Sequence, residues 1–68
     1  MPVTSEQQGV LDIIQTLESQ EDMTPTWRMV YRRFAGDDYR LREILASLLG
    51  QGKITETIIN ANAVYHTI

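Results

Sequence analysis

Residues 44–55 read ILASLLGQGKIT, and within this stretch the periodicity of the chain changes. Ile44, Leu45, Leu48 and Leu49, with Leu41 upstream, recur at helical spacing and predict a helix with one apolar face. Asp37 or Asp38 can cap its start and Gly50 is read as its close, which places it over about 38–49. From Lys53 the pattern becomes alternating. KITETII (53–59) and AVYHTI (63–68) are rich in Ile, Val, Thr and Tyr, and Asn60-Ala61-Asn62 between them is a turn whose asparagines tolerate positive φ. A C-terminal β-hairpin follows. Ile54 and Ile58 are its expected inward residues, joined by either Val64/His66/Ile68 or Ala63/Tyr65/Thr67, because a one-residue slip exchanges the faces. A lone hairpin is marginal in water and has to lie against the helices.

Upstream of Asp37, Trp27, Val30, Tyr31 and Phe34 fall at i, i+3, i+4 and i+7 and make one apolar face. Thr24-Pro25 reads as an N-cap with proline at the first helical position, and Gly36 as the left-handed stop, giving a second helix over about 25–35. Only AGDD separates it from the next helix, and helices joined by so short a turn commonly meet steeply. Further upstream, Val10, Leu11, Ile13, Ile14 and Leu17 define a first helix over about 4–20. Thr4 or Ser5 caps it, and Gln7 or Gln8 completes a capping box.

With 68 residues, a hydrophobic fraction of 43% and no cysteine, a single domain over 1–68 held by packing alone is expected. The apolar runs are far too short for a membrane span and MPVTSEQQG lacks a signal-peptide layout, so a soluble, cytoplasmic protein is the expectation. The net charge of −3 conceals an asymmetry. Residues 1–22 carry Glu6, Asp12, Glu18, Glu21 and Asp22 and no base, whereas 23–55 carry all six bases against Asp37, Asp38 and Glu43. A local field of that kind can hold an anionic partner despite an acidic total.

The order helix, helix, short turn, helix, hairpin, with ILASLLGQGKIT at the end of the third helix, resembles the winged helix-turn-helix superfamily. The resemblance covers nearly the whole chain at the level of architecture. It implies a mainly α fold with a C-terminal hairpin, a recognition helix over Asp38–Leu49, a wing over Ile54–Ile68, and duplex DNA as partner.

All five arginines lie between Trp27 and Arg42. Projected at about 100° per residue, Arg28, Arg32 and Arg33 oppose the apolar face of the second helix and suit DNA phosphates. On the third helix the outward arc is read as Tyr39, Arg42, Glu43, Ala46 and Ser47, with Arg40 beside it. Tyr39, Arg40, Arg42 and Ser47 are the candidate base-reading residues, and Asn60 and Asn62 the candidate wing contacts. The rival account pairs Asp38 with Arg42, Arg40 with Glu43, and Arg33 with Asp37 on the surface, leaving Arg28 and Arg32 without partners. The uncharged hairpin suits an alternative function, a protein-interaction module or homodimer. It would use the wing edge, with Ile59, Tyr65 or Ile68 as contacts, and the third helix.

No catalytic or cofactor motif is read. His66 lacks a second His or Cys and is read as structural, so no metal is expected. Adjacent acids at helix starts are caps, and GQGK follows a helix where a phosphate loop would follow a strand. Trp27 and Tyr31 are read as core. Neither an enzyme nor a small-molecule substrate is expected.

Overall fold

The structure is a computed structural model that describes residues 3–20 and 25–68. Three helices, α1 (Ser5–Ser19), α2 (Trp27–Arg33) and α3 (Asp38–Gly50), precede two strands, β1 (Ile54–Ile59) and β2 (Asn62–Thr67). This is the helical core with a C-terminal antiparallel hairpin that the periodicities predict. Val10, Leu11, Ile14 and Leu17 of α1 pack with Val30 of α2, Leu41, Ile44, Leu45 and Leu48 of α3, and Ile54 and Tyr65 of the hairpin. Among the described residues no helix is long and apolar enough to cross a membrane.

The ends of the helices show what the local sequence does. Thr4 and Gln7 form a reciprocal capping box at the start of α1. Asp37 caps α3, its carboxylate accepting from the Arg40 N–H at 2.7 Å. The close of α3 differs from expectation, because Gly50 is still helical and Gly52 is the residue in left-handed conformation, with φ +72°. The Gly52 N–H donates to the Leu49 carbonyl and the Lys53 N–H to the Leu48 carbonyl, a Schellman close that turns the chain directly into β1.

The second helix also differs. Thr24 lies outside the described residues, and Pro25 stands before α2; Thr26 is the N-cap, its hydroxyl accepting from the Met29 N–H. Pro25 and Thr26 are extended because they pair with β2. The Tyr65 N–H donates to the Pro25 carbonyl at 2.8 Å, and Thr26 bridges Val64. At its other end α2 stops at Phe34, whose backbone is extended, and Gly36 is not left-handed. Its lack of a side chain accommodates the Phe34 ring: a Cβ on Gly36 would lie 2.6 Å from Cε2, so the ring would have to shift.

The hairpin register pairs Ile54 with Thr67, Glu56 with Tyr65 and Ile58 with Ala63. Ile54, Tyr65 and Ala63 therefore share the face toward the helices, which selects the Ala63/Tyr65/Thr67 set. Val64 on the opposite face is buried as well, at 3% exposed. Ile58, expected inward, is 63% exposed, since β1 leaves the helices after Ile54 and its remaining residues are exposed. β2 is tied to α1 through Glu18, whose carboxylate accepts from the Thr67 hydroxyl at 2.6 Å, from the Thr67 N–H, and lies 3.4 Å from His66 Nδ1.

Two predictions arise here. Asn60 and Ala61 form a two-residue turn with φ of 52° and 65°, and alanine is strained in that region. Ala61→Gly should stabilise the protein by about 0.5–1 kcal/mol, the relief of strain outweighing the added freedom of the unfolded chain. That corresponds to a thermal midpoint raised by about 3–6 °C, and an unchanged or lower midpoint would contradict the turn geometry. For Glu18, partial burial opposes the charged form, but the Thr67 hydroxyl and N–H and the His66 ring outweigh it. The carboxyl is held below its ordinary value of 4.5. A depressed carboxyl stabilises the fold fully above its unfolded value and loses that contribution as pH falls through the folded one. Glu18→Ala should therefore cost about 1–2 kcal/mol in urea unfolding at neutral pH, and the gap from wild type should shrink as pH falls below about 4.5.

Candidate nucleic-acid interface

The N-terminal turn of α2, the outer side of α3 and the tip of the hairpin enclose an open groove of about 900 Å³. Its floor is Leu45, Ala46, Leu49 and Ala63; Trp27, Arg28 and Arg42 stand on the helical side, and Ala61, Asn62, Glu56 and Tyr65 on the hairpin side. The pairing of Pro25–Thr26 with β2 starts α2 beside the hairpin, and Trp27, Arg28 and Asn62 line the same groove.

Trp27 is half-buried against the core, and its ring stacks on Tyr31 one turn along, with centroids 5.9 Å apart and planes inclined by 4°. The guanidinium of Arg42 lies over the Trp27 ring, 5.1 Å from its centroid. Trp27 is thus in contact with the core, as its apolar spacing suggested, and also supports a groove cation. Tyr31 is more exposed than a core residue. Burial, with the Glu56 carboxylate beside it, pushes the Tyr65 hydroxyl up, while Arg42 acts in the opposite direction.

The five arginines fall into different surroundings. Arg40 donates to both oxygens of Glu6 on α1 and lies 3.4 Å from Glu43 on its own helix. Its hydrogen bonds hold the Glu6 carboxyl below the usual range, and Glu6 in turn raises Arg40. The Arg40–Glu43 pair was legible from the spacing; Glu6 was not, because it comes from another helix. Asp38–Arg42 and Arg33–Asp37, read as surface pairs, do not form. Asp37 is occupied with capping α3, Arg42 turns onto Trp27, and Arg33 reaches Gln20 at 3.4 Å. The ion pairs among the described residues are Arg40–Glu6, Arg40–Glu43 and His66–Glu18, so Arg28, Arg32, Arg33 and Arg42 belong to none.

Among the other candidates, Tyr39 is 71% exposed on α3 but does not line the groove. Ser47 is half-buried between α1 and α3, where its hydroxyl accepts from Gln7 Nε2 at 2.9 Å and from Gln51 Nε2 at 3.0 Å. That overturns its place on the outward arc: a hydroxyl within reach of two glutamine amides is drawn toward the helix interface. Asn60 sits in the turn and its carbonyl accepts from Asn62 Nδ2, whereas Asn62 lines the groove. Arg33 and Arg40 border a second, smaller depression between α1 and the α2–α3 connection, with Ile13 and Phe34.

The structure therefore brings Arg28, Arg42 and Asn62 together and leaves Arg32, Arg33, Tyr39, Arg40, Ser47 and Asn60 outside the groove. The sequence reading missed Glu56 and Tyr65 as groove residues and Trp27 as the support of Arg42. Only the strand register could have revealed the first two. Among the described residues no three His, Cys, Asp or Glu side chains gather as metal ligands would. Comparison with family models, curated proteins and solved structures finds no match to this chain, so the meaning of the groove is argued from its own chemistry.

Proposed function

We propose that this protein is a small winged helix-turn-helix DNA-binding protein, a transcriptional regulator that holds duplex DNA against α2, α3 and the hairpin tip. The observation that carries the reading is the convergence of Arg28 from α2 and Arg42 from α3 on one open groove, which Asn62 of the wing also lines. No carboxylate among the described residues is within ion-pair distance of either arginine. Arg28 and Arg32 are exposed, one turn apart on α2, where like charges repel unless an external anion lies over them. In a helix-turn-helix the helix before the recognition helix crosses the phosphate backbone, which is the place of Arg28, Arg32 and Arg33 on α2. Arg40 leaves the contact set, since Glu6 and Glu43 neutralise it.

A second reading, an interaction module or homodimer, is favoured by a separate observation. Ile58, Ile59 and Ile68 are 63%, 49% and 80% exposed, and β1 forms the outer edge of the hairpin away from Pro25–Thr26. An apolar free edge of this kind can be extended by another chain.

Salt dependence separates the two. If Arg28, Arg32 and Arg33 each neutralise one phosphate, log K for a duplex should fall against log[salt] with a slope of about −2.7. Replacing both Arg28 and Arg32 with alanine should flatten it to about −0.9. Fluorescence anisotropy of a labelled duplex over a salt series measures both values. Absence of binding at low salt would sink the DNA reading. A concentration-dependent dimer in light scattering that Ile58→Lys dissociates would then establish the second.

A further inference from the structure

Arg40 and Arg42 are two residues apart on one helix, yet only one of them is available to a ligand. Arg40 has its donors on Glu6 and Glu43. The guanidinium carbon of Arg42 instead lies over the Trp27 ring, 5.1 Å from its centroid, and no carboxylate among the described residues is within ion-pair distance of it. Attraction of a cation to a ring spends none of its N–H donors on an acceptor, so the fork remains available to a ligand. The support beneath it is rigid: Trp27 packs on the core and stacks on Tyr31, so the fork is oriented before any ligand arrives.

Building on the DNA reading above, we infer that Arg42, positioned by Trp27, reads a guanine in the major groove through N7 and O6, so that the preferred duplex contains a guanine at one fixed position. A phosphate contact needs a positive charge and little orientation. A pre-oriented planar fork instead matches the paired acceptors on the guanine edge. The surroundings also favour a base over a phosphate. Glu56 lines the same groove, and its negative charge repels a phosphate but tolerates base edges, where a carboxylate can accept from the cytosine amino group. Ala46, also on the floor, leaves room for a base edge to approach α3.

The test is in vitro selection of duplexes from a randomised library with the wild-type protein, followed by replacement of each enriched guanine with 7-deazaguanine. This base keeps Watson–Crick pairing and lacks the N7 acceptor. At one guanine the substitution should weaken wild-type binding about tenfold. Arg42→Ala should bind the normal and the 7-deaza duplex equally, and Arg40→Ala should keep the full ratio. Trp27→Leu should narrow the ratio while leaving the slope of log K against log[salt] unchanged. Trp27→Phe, which restores an aromatic face, should recover most of the ratio; thermal unfolding of both Trp27 variants confirms that the binding comparison is made on folded protein. Enriched duplexes that tolerate 7-deazaguanine at every guanine, or a ratio that survives in Arg42→Ala, would overturn this inference and leave the DNA reading standing. Failure to enrich or bind any duplex at low salt would overturn both.

Discussion

The Tyr65 N–H to Pro25 carbonyl hydrogen bond, with the adjoining Thr26–Val64 bridge, is the constraint on which the rest of the molecule depends. It makes β2 an inner strand, paired with β1 on one side and with the residues before α2 on the other. Val64 and Tyr65, on opposite faces of β2, are both buried. The same contact fixes where α2 begins. A helix started at Pro25 would remove the extended pairing. With α2 starting at Trp27, Trp27 and Arg28 line one groove with the hairpin tip. Proline suits the position because its carbonyl is used and its missing N–H is not needed.

Charge is distributed on this frame in a way that counting arginines does not reveal. One arginine ties α3 to α1 through Glu6, one is stacked on a tryptophan, one leans on Gln20, and Arg28 and Arg32 are exposed along α2. The Glu6–Arg40–Glu43 cluster is solvent-exposed, and such pairs contribute little to stability. Its larger consequence is to cancel the cation at the start of α3. The arginines in no ion pair among the described residues are then Arg28, Arg32, Arg33 and Arg42, of which Arg28 and Arg42 line the groove.

The elements themselves were legible. Leu41, Ile44, Leu45 and Leu48 at helical spacing, and the alternation beyond Lys53, fixed α3 and the hairpin to within a residue or two, because burial on one face of a regular element leaves a periodic trace. The caps were readable to within one residue, as Thr4 or Ser5 with Gln7 or Gln8 and as Asp37 or Asp38; the structure selects Thr4–Gln7 and Asp37, each a local hydrogen bond between residues three apart. The terminators were less so. Gly36 and Gly50 look like helix stops, but the left-handed residue is Gly52, and Gly36 accommodates the Phe34 ring, a contact that no spacing rule reports.

For the interface the division is sharper. Sequence alone determined that three helices and a hairpin would form, and that the arginines would gather on the second and third helices, because propensity, periodicity and capping act over a few residues. Tertiary structure decided which of those arginines are available. Glu6 lies 34 positions from Arg40 in the chain, Trp27 is a helix away from Arg42, and Ser47 is drawn inward by Gln7 from α1. It also decided that Ile58 is outside, Val64 inside, and that Asn62 and Arg28 line one groove. Each of these depends on how separate elements meet. That is set by core packing and by the pairing of Pro25–Thr26 with β2, neither of which leaves a local pattern to read.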